Sequence, residues 1–123
     1  MSGVGGPNSK GTWLNFADRG HHVYFGNNRG ILYSRDHETL DMDEDAAEYW
    51  NFSQNELALD VFSNVEAMFE SAGGQNKGYY FGSSLGTAQM TIALTKDEQR
   101  LTSKLNKAIL VAPCTILGAN EEI

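Results

Sequence analysis

The sequence predicts an α/β protein. Three observations carry that expectation. Short apolar runs at His22-Val23-Tyr24-Phe25, Tyr79-Tyr80-Phe81 and Ala108-Ile109-Leu110-Val111 read as buried strands. Helical patterns separate them, giving the order α-β-α-β-α-β. Gly26, Gly82 and Pro113 close the runs. All-apolar strands alternating with helices imply a short parallel sheet of about three strands, with helices on both faces, a three-layer sandwich. The strand at 78–81 is expected in the centre, between 22–25 and 108–111.

Each element has a local reason. Residues 9 to 20 read as a short helix, with Ser9 as N-cap, Leu14 and Ala17 facing inward and Gly20 as the stop. Gly26-Asn27-Asn28-Arg29-Gly30 is a turn-rich loop, and 31 to 52 is a long acidic connection. Ser53-Gln54-Asn55-Glu56 fits a capping box. After it, Leu57, Val61, Val65, Met68, Phe69 and Ala72 recur on one helical face, and Gly73-Gly74 ends the helix. Residues 96 to 107 hold a further short helix around Leu101 and Leu105.

The most chemically suggestive stretch is Tyr79-Tyr80-Phe81-Gly82-Ser83-Ser84-Leu85-Gly86. A strand meets G-x-S-x-G, and the apolar helical pattern Ala88, Ile92, Ala93 follows. That context reads as a nucleophile elbow. Ser84 would sit in a strained turn with its hydroxyl clear of the backbone. Gly82 and Gly86, lacking Cβ, would let strand and helix approach. The backbone N–H of Leu85 would face a developing oxyanion. The competing reading is a Gly/Ser-rich turn without chemistry, since composition alone gives about 0.1 chance matches to so short a motif.

Composition bounds the rest. With 123 residues the chain makes at most one domain. A net charge of −7 disfavours nucleic acid or an anionic membrane as partner. No stretch reaches the length of a membrane span. Cys114, the single cysteine, permits no internal disulfide and is expected to be buried. Asp41, Asp43 and Asp45 alternate as in a calcium loop, but Ala46 and Phe52 stand where that loop needs Gly and Glu, so a solvated acidic face is expected. His21, His22 and His37 show no metal-ligand spacing, and neither a metal nor a cofactor is expected. Arg29 would either bind an anion or hold its loop by bonding backbone carbonyls.

Gly26-Asn27-Asn28-Arg29-Gly30, then Tyr33-Ser34, then Glu48-Tyr49-Trp50-Asn51-Phe52-Ser53 with Glu56, then the elbow, resemble the acid lipase family of α/β-hydrolases over about residues 7 to 117. The resemblance implies a partial α/β-hydrolase fold over 1–123 and a serine carboxylic-ester hydrolase acting on lipid or other small esters. Ser84 matches the family's nucleophile and the Leu85 N–H one oxyanion donor. Ser83 replaces the usual His before the nucleophile, and Leu85 the usual Gln after it. The family's His-Gly oxyanion motif has no counterpart. Asp97 is the one Asp after Ser84, too close behind the elbow helix to serve as the triad acid, and no His follows. The expectation is therefore a fragment or degenerate copy holding only the nucleophile, inactive alone. The alternative is a non-catalytic scaffold that self-associates through bare sheet edges. The resemblance points to a secretory or lysosomal protein, although residues 1 to 11 lack the apolar segment of a signal peptide.

Overall fold

The computed structural model describes residues 11–114. The elements are α1 (Thr12–Asp18), α2 (Ala46–Tyr49), α3 (Gln54–Ser71), β1 (Gly78–Ser83), α4 (Leu85–Lys96), α5 (Glu98–Thr102) and β2 (Leu105–Val111). β1 and β2 pair in parallel, with Phe81 opposite Ile109 and Ser83 opposite Val111. The chain is thus mixed helix and strand around a short two-stranded parallel sheet.

The longest helix starts where its capping box sits. Ser53 accepts from the Asn55 N–H at 3.1 Å, and Glu56 accepts from the Ser53 N–H at 2.7 Å. Gly73 and Gly74, at φ +86° and +69°, turn the chain out of α3. From α3, Ala58, Val61, Phe62 and Val65 are buried, and they meet Met90 and Ala93 of α4, Leu101 of α5 and Leu105 of β2. Tyr80 and Leu110 carry the sheet onto this cluster. Asp97 caps α5 by accepting from the Arg100 N–H at 2.9 Å. Among the described residues no helix is long and apolar enough to cross a membrane.

Several expectations need correction. Residues 22–25 form no strand, so the three-strand sheet with 78–81 at its centre is not observed among the described residues. Tyr24 and Phe25 stay 40% and 70% exposed. The loop that follows the segment is drawn to α3. The Asn64 carboxamide donates to the Asn27 carbonyl at 3.0 Å, and Arg29 grips Asp60. The strands are not covered on both faces. Tyr79, Phe81, Ile109 and Val111 remain substantially exposed on the face away from the core, where Trp13 packs edge-on against Phe81 at 4.5 Å. α1 buries no residue, so Leu14 and Ala17 do not face inward. The Ser9 cap lies outside the described residues.

Candidate functional site

The site grows out of the junction between β1 and α4. Ser84 joins the two with φ +50° and ψ −115°, a backbone conformation that costs a residue with a Cβ of order 1–3 kcal/mol. Such strain persists only where the surroundings over-determine it, and here four contacts do so. The Ser84 N–H donates to the Val111 carbonyl at 3.2 Å, tying the turn to the end of β2. The Ser84 carbonyl accepts from the Thr87 N–H at 2.9 Å and from the Thr87 hydroxyl at 2.6 Å. Below the turn, the Tyr80 hydroxyl donates to the Gly86 carbonyl at 2.9 Å. Burial pushes the Tyr80 phenol above its ordinary range, so it remains a donor at physiological pH.

The glycines are required where the sequence places them. A Cβ on Gly82 would stand 2.9 Å from the carbonyl carbon and oxygen of Gly86, and 2.7 Å from the Tyr80 ring. A Cβ on Gly86 would stand 3.3 Å from the Tyr80 hydroxyl. Strand and helix therefore close to backbone contact beneath Ser84. The residue itself is exposed, and Leu85 beside it is 42% exposed. The N–H groups of Leu85 and Gly86 lie in the first turn of α4, where an amide has no carbonyl four residues back within its helix. An exposed hydroxyl beside first-turn amides can in principle attack a carbonyl and stabilise the oxyanion that forms.

The neighbouring strand end is strained too. Ala112, just past β2, has φ +50°. Its turn brings the Cys114 N–H to the Thr87 hydroxyl at 2.7 Å. Cys114 is exposed, not buried as expected, because the chain leaves the sheet at this point. Thr87, wholly buried, and Tyr80 are the site residues the sequence reading missed. The signal for Thr87 was its place three residues after the nucleophile candidate, where a hydroxyl can reach back to that residue's carbonyl.

The other candidates lie in different surroundings. Arg29 neither stands free for an anion nor bonds loop carbonyls. Its guanidinium makes a two-pronged pair with Asp60, at 2.9 Å from Nε and 2.7 Å from Nη2, and its N–H also donates to Asp60 at 2.9 Å. The hydrogen-bonded Asp60 carboxylate raises the Arg29 pKa further. His37 Nδ1 accepts from the N–H groups of Thr39 and Leu40 at 3.2 and 3.0 Å, and its ring leans on Tyr49. His21 packs against Phe16. Asp41 and Asp45 spend their carboxylates on amides of their own loop. Those amides hold the Asp41 carboxyl below the usual range. Among the described residues no group of three His, Cys, Asp or Glu could hold a metal ion.

No protein-family model and no solved structure matches the chain. Curated sequences do. Lipase lipl-5 of Caenorhabditis elegans is 36% identical over 99 residues, covering 80% of this chain and 24% of that protein. Lipase member M of Homo sapiens is 38% identical over 98 residues, 79% of this chain and 22% of that protein. A probable lipase of Schizosaccharomyces pombe is 36% identical over 101 residues, 81% of this chain and 21% of that protein. The chain spans about a quarter of the length of the relatives it matches. Over about four-fifths of its own length, the chain is similar in sequence to proteins named as lipases.

Proposed function

We propose that Ser84 is the nucleophile of a serine carboxylic-ester hydrolase acting on lipid esters, and that this chain is the part of a partial α/β-hydrolase domain that presents it. The observation that carries the reading is the conformation of Ser84: φ +50° between a strand and a helix held together by Gly82 and Gly86. Similarity to proteins named as lipases supplies the substrate class. In this reading the Ser84 Oγ attacks the ester carbonyl, and the Leu85 N–H donates to the oxyanion. A histidine takes the hydroxyl proton and returns it to the leaving alcohol.

The reading assigns that base to a histidine outside these 123 residues. None follows Ser84, and His37 has its Nδ1 committed to two amides. A Ser hydroxyl without a base within hydrogen-bond reach is a weak nucleophile.

Two measurements test the proposal. In a longer protein containing this segment and a histidine base, a fluorophosphonate probe should label Ser84, and Ser84→Ala should abolish labelling. Labelling that survives Ser84→Ala would assign the nucleophile elsewhere. For the chain alone, p-nitrophenyl ester turnover should equal that of the Ser84→Ala control. Turnover well above background, lost in both Ser84→Ala and His37→Ala, would make His37 the base.

A further inference from the structure

We propose that Asn51 is the acceptor of an N-linked glycan when the chain passes through a secretory pathway. The inference is independent of the hydrolase reading. Asn51-Phe52-Ser53 is the single Asn-x-Ser/Thr triplet among the ten asparagines of the chain, and its middle residue is not proline. That triplet is the acceptor pattern for transfer of an oligosaccharide to asparagine.

The fold presents the triplet on an outward turn. The Asn51 N–H donates to the Glu48 carbonyl at 3.1 Å and the Phe52 N–H to the Trp50 carbonyl at 2.9 Å, so the chain bends sharply at Asn51. Its two neighbours turn their rings toward Gly30, Phe52 half-buried and Trp50 46% exposed. A Cβ on Gly30 would lie 2.7 Å from the Trp50 ring and 3.2 Å from the Phe52 ring, so both side chains press on the Gly-Asn loop. Asn51 between them is exposed, and its carboxamide forms no hydrogen bond to any described residue. A glycan there would displace no core side chain.

Timing follows from Ser53. In the folded chain its hydroxyl donates to Glu56 and accepts from the Asn55 N–H, so the third position of the triplet is locked into the cap of α3. Transfer therefore belongs to the extended chain, before the helix caps. Asn51 Nδ2 bonds to C1 of the first sugar of a lipid-linked diphosphate oligosaccharide. The C1–O bond to the diphosphate breaks, the diphosphate leaves with that electron pair, and Nδ2 gives up one proton. No oxidant or reductant is needed.

The test is expression of the full chain behind a cleavable secretory leader in eukaryotic cells, followed by peptide-N-glycosidase. The expected result is a one-glycan mobility shift that the enzyme removes, with peptide mass spectrometry placing the conversion to aspartate at position 51. Asn51→Gln and Ser53→Ala should lose the shift. Ser53→Thr should keep it. Glu56→Ala, which breaks the capping box but leaves the triplet, should keep it as well, separating acceptor chemistry from helix capping. Because transfer precedes folding, a variant that misfolds still reports its glycan in the cell lysate. An unshifted wild-type chain recovered with its leader removed would overturn the proposal. So would a shift that survives Asn51→Gln.

Discussion

The hydroxyl of Thr87 lies 2.6 Å from the carbonyl oxygen of Ser84 and donates to it. The same oxygen atom of Thr87 accepts from the Cys114 N–H at 2.7 Å. One buried hydroxyl thus joins the strained turn after β1 to the strained turn after β2. Thr87→Val keeps the shape and deletes both bonds. It should cost about 1–3 kcal/mol, the usual penalty for leaving buried polar groups unsatisfied, while Thr87→Ser should recover most of the loss. Urea unfolding gives the energies. Amide hydrogen exchange at Cys114 should accelerate in the Val variant and not in the Ser variant. Unchanged exchange would detach the second turn from Thr87.

The two elbow glycines should differ in their tolerance of a methyl group. On Gly82 the new carbon would meet backbone of Gly86 at 2.9 Å, which cannot step aside. On Gly86 it would meet the Tyr80 hydroxyl at 3.3 Å, which can shift by a few tenths of an ångström. Gly82→Ala should therefore cost about 1–3 kcal/mol or more as overpacking, and Gly86→Ala clearly less. Equal costs in urea titrations would contradict the asymmetry.

The pair between Arg29 and Asp60 fixes the Gly-Asn loop on α3. Arg29 is well exposed on its outer side, so solvent screens much of the attraction. Arg29→Ala should cost about 1 kcal/mol. Arg29→Lys should not restore it, because an ammonium cannot reproduce a two-pronged contact. A double-mutant cycle with Asp60→Asn should show positive coupling between the sites; none would mean the loop is held by its other contacts.

Acid should loosen the fold through carboxylates that work harder folded than unfolded. The Arg100 guanidinium holds the Glu66 carboxyl below its ordinary 4.5. The Ser53 hydroxyl and amide do the same for Glu56. A depressed folded pKa lends stability that is complete above the unfolded value and drains as pH falls through the folded one. Denaturation midpoints should fall between pH 5 and pH 3, and Glu66→Gln should flatten that slope. An unchanged slope would assign the acid response to other groups.

Local rules were legible wherever the determining contact lay within a few residues. The Ser53–Glu56 box and the Gly73-Gly74 stop both formed. The parallel pairing of β1 with β2 formed as well, although it reaches across α4 and α5. The conformation of Ser84 followed from two glycines four residues apart. Whether Ser84 performs the chemistry is a question of groups brought from elsewhere, which local pattern does not encode. The misreadings were of that distant kind. His22 to Phe25 has strand-like composition, but a strand also needs an unpaired neighbour at the right place, and the loop that follows it is held on α3 by Asp60 and Asn64 across more than thirty residues. Val61 and Val65 were read correctly as core. Ala58 and Phe62 were missed, because α3 is buried along a broader stripe than one narrow periodic row.

The connected core runs from Ala58 to Leu105 without one contribution from residues 11 to 52. Arg100 on Glu66 clasps α5 to α3 inside that same span. The molecule consequently has a built-in seam. Among the described residues, those ahead of Ser53 are held by polar grips on α3 and by surface rings, Trp13 against Phe81 of β1 among them, and the core is built wholly from those after it. A protease cutting in the acidic connection would leave the elbow in place, still braced by Tyr80, Thr87 and Val111. Such a nicked chain should melt as two events: first the release of the leading segment, then the collapse of the part that carries Ser84.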